Sequence, residues 1–224
     1  MPGEGFWLMR YDAVIYDLDG TLLNTLDDLA GAVNHAMSAL GFPTHSAQEV
    51  RGMVGDGMEM LIRRALPRSG QDAAAEALAL FRAHYAAHAQ DATRPYEGVL
   101  PLLDQLGQAG VRQAIVSNKG DPFVKELNLR YFGRRISVAL GERAGVRRKP
   151  APDMLLQVMQ EWGSDPARTL YVGDSGTDIQ TARAAGVPCA SVTWGFRTRE
   201  ELIASGATLL VDTPRELARQ VLGA

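Results

Sequence analysis

Three short apolar runs in this chain each end abruptly in acids, amides or hydroxyls, and that repeated ending constrains the fold more than any other feature. The first is Ala13-Val14-Ile15-Tyr16, followed by Asp17-Leu18-Asp19-Gly20-Thr21. The second runs from Val111 to Val116 and gives way to Ser117-Asn118-Lys119-Gly120, and the third, Thr169 to Val172, runs into Gly173-Asp174-Ser175-Gly176-Thr177-Asp178. Short β-branched runs bounded by Gly and Asp read as buried strands. In open α/β sheets the ligand crevice lies outside the carboxyl ends of the strands, so three separate segments deliver acids and a hydroxyl to one rim.

What separates the runs sets the domain organisation. From Val99 onward helix and strand alternate, with further strands expected near Ile136 to Leu140, Ala190 to Thr193 and Thr208 to Val211. Such alternation predicts an α/β fold with a doubly wound, parallel, Rossmann-like sheet. The segment between the first strand and this array contains only helical patterns. One spans Thr25 to Leu40, opened by a Thr25-x-x-Asp28 capping pattern and carrying Leu29, Val33, Met37 and Leu40 on one stripe. Three more follow at about 47–53, 58–66 and 71–90, broken by Gly-Asp-Gly and Pro-Arg-Ser-Gly. The expected organisation is therefore a core from 1–24 and 94–224, split by a helical cap at 25–93. The last helix is expected to open on Thr213 as N-cap, with Pro214 first and Glu216 closing a capping box.

Asp17 and Asp19 sit where a strand meets a glycine. Gly20 breaks the extended geometry, so the two carboxylates can converge although alternate. Asp-x-Asp-Gly is also an ordinary turn and a fragment of calcium loops. The calcium reading fails because Thr21-Leu22-Leu23 turns apolar and the twelfth position, Asp28, falls inside a helix. The polar groups at the other strand ends favour a reactive site, and paired carboxylates suit phosphoryl transfer, one as nucleophile and one as proton donor. In Arg147-Arg148-Lys149-Pro150 the arginines read as a solvated basic run. Lys149 reads differently, because the chain has only three lysines, at 119, 125 and 149. An ammonium there can neutralise both an attacking carboxylate and a phosphate oxygen.

Taken in order, Asp17-x-Asp19-Gly20-Thr21, Ser117-Asn118, Lys149-Pro150 and Gly173-Asp174-Ser175-x-x-Asp178 resemble the four motifs of the haloacid dehalogenase-like superfamily. Val54-Gly55-Asp56-Gly57, Tyr96-Glu97-Gly98-Val99, Ser117-Asn118-Lys119 and Thr193-Trp194-Gly195-Phe196 are similar to its phosphoglycolate phosphatase branch. The resemblance implies a small-molecule phosphate ester as substrate, Asp17 as nucleophile and Asp19 as the acid that protonates the leaving group. It implies Mg²⁺ held by the side chains of Asp17 and Asp174 and the main-chain carbonyl of Asp19, with Asp178 orienting the site from behind. Ser117, Lys149 and the N–H groups of Leu18, Asp19 and Asn118 would hold phosphate oxygens. The substrate expected is 2-phosphoglycolate, the cap having arginines available for its carboxylate. A phosphosugar mutase and a broad-range sugar-phosphate or nucleotide phosphatase are the alternatives, and an inactive binding protein ranks below them because every expected catalytic residue is present. Asp19 and Asp174 weigh against a metal-free dehalogenase, and the absence of lysine between Thr25 and Thr93 weighs against a Schiff-base phosphonate hydrolase. Asn24 and Asp56 depart from the branch's usual residues, which bears on substrate and not on catalysis.

Charge and length limit the partners. A net charge of −3 with a pI near 5.8 and no long basic run argues against nucleic-acid or membrane-surface binding. No apolar stretch reaches the about 18 residues of a membrane span, and Met1 to Arg10 lacks a signal-peptide pattern, so a cytoplasmic location is expected. Translation start at Met1 or Met9, and a monomer or a homodimer, are equally compatible with the chain. The single Cys189 is expected in a buried strand, with neither a disulfide nor a thiol mechanism. His84 and His88, four apart, read as solvated helix residues, and Arg51, Arg63 and Arg64 as surface charges, of which one at most need face the crevice.

Overall fold

Ala13, Val14, Ile15 and Tyr16 are all completely buried, and that places the strand they form at the centre of the sheet. In the computed structural model, which describes residues 10–223, this strand β1 (Ala13–Tyr16) is followed by a short β2 (Leu23–Asn24) and four helices. These are α1 (Leu26–Ala39), α2 (Ala47–Met53), α3 (Gly57–Ala65) and α4 (Ala74–His88). The chain returns through β3 (Arg94–Pro95), antiparallel to β2, so both crossings into the helical insert are stitched together. Then come α5 (Val99–Gln108), β4 (Arg112–Gly120), α6 (Asp121–Tyr131), β5 (Val138–Glu142), α7 (Asp153–Trp162), β6 (Thr169–Gly173), α8 (Gly176–Ala185), β7 (Cys189–Val192), α9 (Arg199–Ala204), β8 (Leu209–Val211) and α10 (Pro214–Leu222).

The six main strands lie in the order β5-β4-β1-β6-β7-β8, all parallel. Helices cover both faces, and strand side chains alternate between them as a period of two requires. Val14, Tyr16, Ile115, Leu170 and Val172 pack with α5, α6 and α10. Ile15, Ala114, Val116 and Tyr171 pack with α7 and α8. The insert has a core of its own, in which Leu29, Val33 and Met37 of α1 meet Val50, Leu61, Ile62, Phe81 and Tyr85. The α/β fold with an inserted helical cap is therefore as expected. Among the described residues, no helix is long and apolar enough to cross a membrane. The choice between Met1 and Met9 lies outside the described residues.

Several local expectations are corrected. The helix expected over 71–90 is split, with a 3₁₀ segment at Arg68–Ala73 before α4. Gly70 packs there against Phe42, where a Cβ would come within 2.7 Å of the ring. Thr25 and Asp28 form no capping box. Thr25 donates its hydroxyl to Asp19 Oδ1 at 2.8 Å, and Asp28 accepts from the backbone N–H groups of Ala92 and Thr93, both at 2.8 Å. Both residues are spent on joining the insert to the core. At α10, Thr213 caps as expected, but Glu216 reaches the N–H of Asp212, one residue before the cap.

Candidate active site

The first strand hands its two acids to opposite partners. The N–H of Asp17 still pairs with Val172 O at 2.8 Å, so Asp17 stays beside the end of β6. The chain then coils tightly, with the N–H groups of Thr21, Leu22 and Leu23 all directed at Leu18 O. Gly20 makes this turn at φ +82°, and a Cβ on it would lie 2.2 Å from Asp174 Oδ2. Gly195 is held as tightly, against Gly20 O and Asp174 Cβ. Close backbone approach thus brings the β1 loop, the β6 loop and the 194–197 loop into one contact.

Lys149 is the hub of one side. Its ammonium lies 2.9 Å from Asp17 Oδ1, 2.7 Å from Asp178 Oδ1 and 3.1 Å from the Tyr171 hydroxyl. Burial lowers the pKa of such a lysine, but Asp17 and Asp178 more than offset it and hold the group well above its ordinary value. Asp178, fully buried at the third position of α8, also accepts from the N–H and hydroxyl of Ser175, so both its oxygens are committed. Asn118 fastens the lysine's backbone: its Oδ1 accepts from Lys149 N at 2.8 Å, and its Nδ2 donates to Lys149 O at 3.0 Å and to Gly55 O of the cap at 3.1 Å. Ser117 accepts from Lys119 N at 3.3 Å, which leaves its own O–H to donate elsewhere. Strand β4 itself runs on through Gly120, past the expected end at Val116, with a register shift between the two.

Carboxylates outnumber cations here. Asp17, Asp174 and Asp178 each bring an oxygen within 4.8 Å of the others, with only Lys149 between them. Burial pushes Asp17 up to about 6, Lys149 pulling back, and burial with Asp178 and Asp17 pushes Asp174 up to about 8. Asp174 has one partner, the N–H of Phe196, on Oδ2. An all-oxygen set carrying uncompensated negative charge fits a hard divalent cation such as Mg²⁺. With its oxygens committed, Asp178 fits an orienting position. No other grouping of His, Cys, Asp and Glu among the described residues has this spacing. His84 is half-buried, stacked between His35 and His88 at 4.3 Å to each. Cys189 is half-buried at the start of β7, and burial pushes its thiol up to about 12.

The cap closes the cavity with Leu29, Val54, Gly55, Gly57, Met58 and Leu61 facing Asp17, Asp19, Ser117, Lys119 and Asp174. Arg51 is no free surface charge. It is half-buried and donates from its guanidinium to Gly195 O, at 3.1 Å, and to Phe196 O, while Arg197 of the core donates back to Arg51 O and Val54 O at 2.8 and 2.6 Å. Arg63 pairs with Glu59, and Arg64 with Asp56 and Met53 O, all at the exposed surface. The expected cap arginine for a carboxylate is thus not at hand. Two residues given no role from the sequence stand at the site, Lys119 on its wall and Tyr85 behind it. Lys119 Nζ contacts Asp19 Oδ1 and Oδ2 at 3.0 and 3.2 Å and the hydroxyl of Tyr85, from α4, at 2.7 Å. The scarcity of lysine that drew attention to Lys149 applied equally to Lys119; nothing in the sequence pointed to Tyr85.

Comparison with known proteins agrees with this construction. The model of the family described as haloacid dehalogenase-like hydrolase matches residues 14–192. The chain is 37% identical over 212 residues to phosphoglycolate phosphatase 1 of Pseudomonas aeruginosa, covering 91% of this chain and 77% of that protein. It is 34% identical to N-acetylmuramic acid 6-phosphate phosphatase of the same organism, covering 93% and 94%. A crystal structure from Lactobacillus delbrueckii subsp. bulgaricus, provisionally assigned as a phosphoglycolate phosphatase, superposes with a TM-score of 0.91 at 35% identity, covering 96% of this chain and 100% of that one. The chain belongs to the haloacid dehalogenase-like hydrolase family, as one of its phosphoric monoester hydrolases. Within that family its likeness is to the phosphoglycolate phosphatases.

Proposed function

We propose that the protein hydrolyses a small phosphomonoester through a phosphorylated Asp17, using Mg²⁺, with 2-phosphoglycolate as preferred substrate. Residues 1–24 and 94–224 form the catalytic core in this reading, and 25–93 the cap that encloses the ester. The observation that carries it is the buried trio of Asp17, Asp174 and Asp178 around one lysine at the carboxyl ends of β1 and β6. The N–H of Leu18, at 2.7 Å, and Lys149 both fix Asp17 Oδ1, which leaves Oδ2 to attack phosphorus in line. Asp19 gives a proton to the departing alkoxide oxygen. It then takes one from the water that attacks phosphorus and frees the Asp17 carboxylate. The Ser117 hydroxyl, the Lys149 ammonium and the N–H groups of Asp19 and Asn118 hold phosphate oxygens; the Asn118 side chain is occupied, and the Leu18 N–H, also expected on the phosphate, is directed at Asp17 Oδ1. Asp17, Asp174 and the Asp19 main-chain carbonyl would hold Mg²⁺, whose charge offsets repulsion between the anionic ester and Asp17.

The preference for a small ester rests on the cavity and the relatives. Leu29, Val54, Met58 and Leu61 of the cap make an apolar roof over the acids, with no side chain placed to receive the hydroxyls of a hexose. A mutase would need a cation from the cap to grip a second phosphoryl group, and no cap cation lines the cavity. The test is kcat/KM for 2-phosphoglycolate, a hexose phosphate and a nucleoside monophosphate in Mg²⁺. A clear lead for 2-phosphoglycolate is expected. Comparable values would mean a broad-range phosphatase, and a hexose product with its phosphate moved would mean a mutase.

A further inference from the structure

Lys119 is the least explained group in the site. Its ammonium is almost fully buried, yet it borders the cavity and stands on the proton donor rather than on the phosphate-binding side. Burial lowers its pKa, but Asp19 and Tyr85 together more than offset that, so it stays cationic above the ordinary lysine value. Tyr85 holds it from the cap side. The hydroxyl accepts from Nζ at 2.7 Å and the ring face lies 4.7 Å away, itself wedged against Phe81 and Phe123.

Two facts make the contact with Asp19 awkward for catalysis. Oδ1 of Asp19 already takes the Thr25 hydroxyl as well as Lys119, and the same ammonium also lies on Oδ2, so a leaving group must approach Asp19 past Lys119. The only cations lining the cavity among the described residues are Lys119 and Arg197, and Arg197 is engaged by two cap carbonyls. With Lys149 assigned to the phosphate, Lys119 is therefore the cation left to turn toward the rest of the ester.

We propose that Lys119 reads a carboxylate on the carbon next to the leaving oxygen, and that this exchange uncovers Asp19 for proton transfer. The proposal rests on the phosphatase reading above and names the group that gives it specificity. Its geometry is simple. The leaving oxygen must come within about 3 Å of Asp19, and in an –O–CH₂–COO⁻ ester the carboxylate oxygens lie roughly 3 Å from that oxygen. Nζ is 3.2 Å from Asp19 Oδ2, so a small swing about the Tyr85 hydroxyl carries the ammonium from one carboxylate to the other. An ester without the acid group supplies no replacement partner. Lys119 then stays on Asp19, and the proton donor stays covered.

The experiment compares kcat/KM for 2-phosphoglycolate, 2-phospholactate, 3-phosphoglycerate and ethyl phosphate in wild type, Lys119→Met and Tyr85→Phe, with circular dichroism to confirm folding. Wild type should favour 2-phosphoglycolate over ethyl phosphate by at least about 10²-fold, within what a buried polar site can discriminate. Lys119→Met should bring the ratio to within about tenfold of unity, through loss on the acid together with a gain on ethyl phosphate, because Asp19 is then uncovered for both esters. Tyr85→Phe keeps the ammonium but removes its holder, so it should lose part of the same ratio, and it serves if Lys119→Met does not fold. A different carboxylated ester favoured by wild type, with the preference lost in the variants, would support the role of Lys119 and overturn 2-phosphoglycolate as substrate. A wild-type preference that survives, or equal loss on acid and ethyl ester, would mean that Lys119 only positions Asp19 and would overturn the proposal. Absence of any carboxylate preference in wild type would overturn this role for Lys119 and 2-phosphoglycolate as preferred substrate, while turnover of the esters would leave the phosphatase reading standing.

Discussion

Asp17 and Asp19 are two residues apart in the chain, yet one is tied to Lys149 and the other to Lys119, and their variants should fail in different ways. In the reading proposed above Asp17 is the nucleophile, so Asp17→Asn should lower kcat by at least about 10³-fold. Because it also lowers the surplus negative charge of the Asp17, Asp174 and Asp178 trio and leaves Lys149 paired with Asp178, the apparent Tm in chelator should hold or rise. A fall in Tm with residual turnover would mean that Asp17 is structural. Asp19→Asn should lose far more rate on an alkyl phosphate than on an aryl phosphate with a good leaving group, by a factor within the ~10²–10⁴ of general acid catalysis. Equal losses in steady-state assays would contradict its role as proton donor. The acids and Lys149 were legible from sequence because each follows an apolar run or stands out by residue type. Arg51 was misread: its ties run to main-chain carbonyls of a loop more than 140 positions away, and carbonyls leave no trace in a sequence.

Helix α1 shows how a local pattern yields to a distant one. Thr25-x-x-Asp28 is a capping signature, but Asp28 instead receives Ala92 and Thr93, where the chain leaves the cap. A charged acceptor of two buried N–H groups is worth more here than a cap. Asp28→Ala should therefore destabilise the cap junction by about 1–3 kcal/mol, read as faster hydrogen exchange at Ala92 and Thr93 while β1 and β6 stay protected. Unchanged exchange would show the junction to be held by β2 and β3 alone. The strand positions were legible because burial on both faces leaves continuous apolar runs, whereas the continuation of β4 through Ser117-Asn118-Lys119 was not, since polar residues at a strand end read as loop.

Across the whole molecule, the doubly covered sheet and the helical insert, each with its own hydrophobic packing, meet over a site with surplus negative charge, and that surplus couples stability to pH and metal. Asp17 and Asp174 are raised to about 6 and about 8 in the folded state, so the fold binds more protons than the unfolded chain above the ordinary carboxylate range. Their stabilising contribution is complete below about pH 4 and is lost as pH rises through those values. In chelator this pair should therefore lower the apparent Tm between about pH 5 and pH 8, and added Mg²⁺ should raise it by an amount that grows with pH over the same span. A Mg²⁺ effect independent of pH would place the ion elsewhere. The division into core and cap was legible from where strand patterns stop and resume, but the way the cap closes, through the exchange between Arg51 and Arg197, was not.

The central claim is that phosphate passes through Asp17. The direct measurement is to mix enzyme, Mg²⁺ and substrate, quench within the first turnover, reduce any acyl phosphate with borohydride and map the resulting homoserine by peptide mass spectrometry. Homoserine at position 17, present only with substrate, is the predicted result. Homoserine at Asp19 or Asp174, or none at any aspartate while phosphate is released, would contradict it.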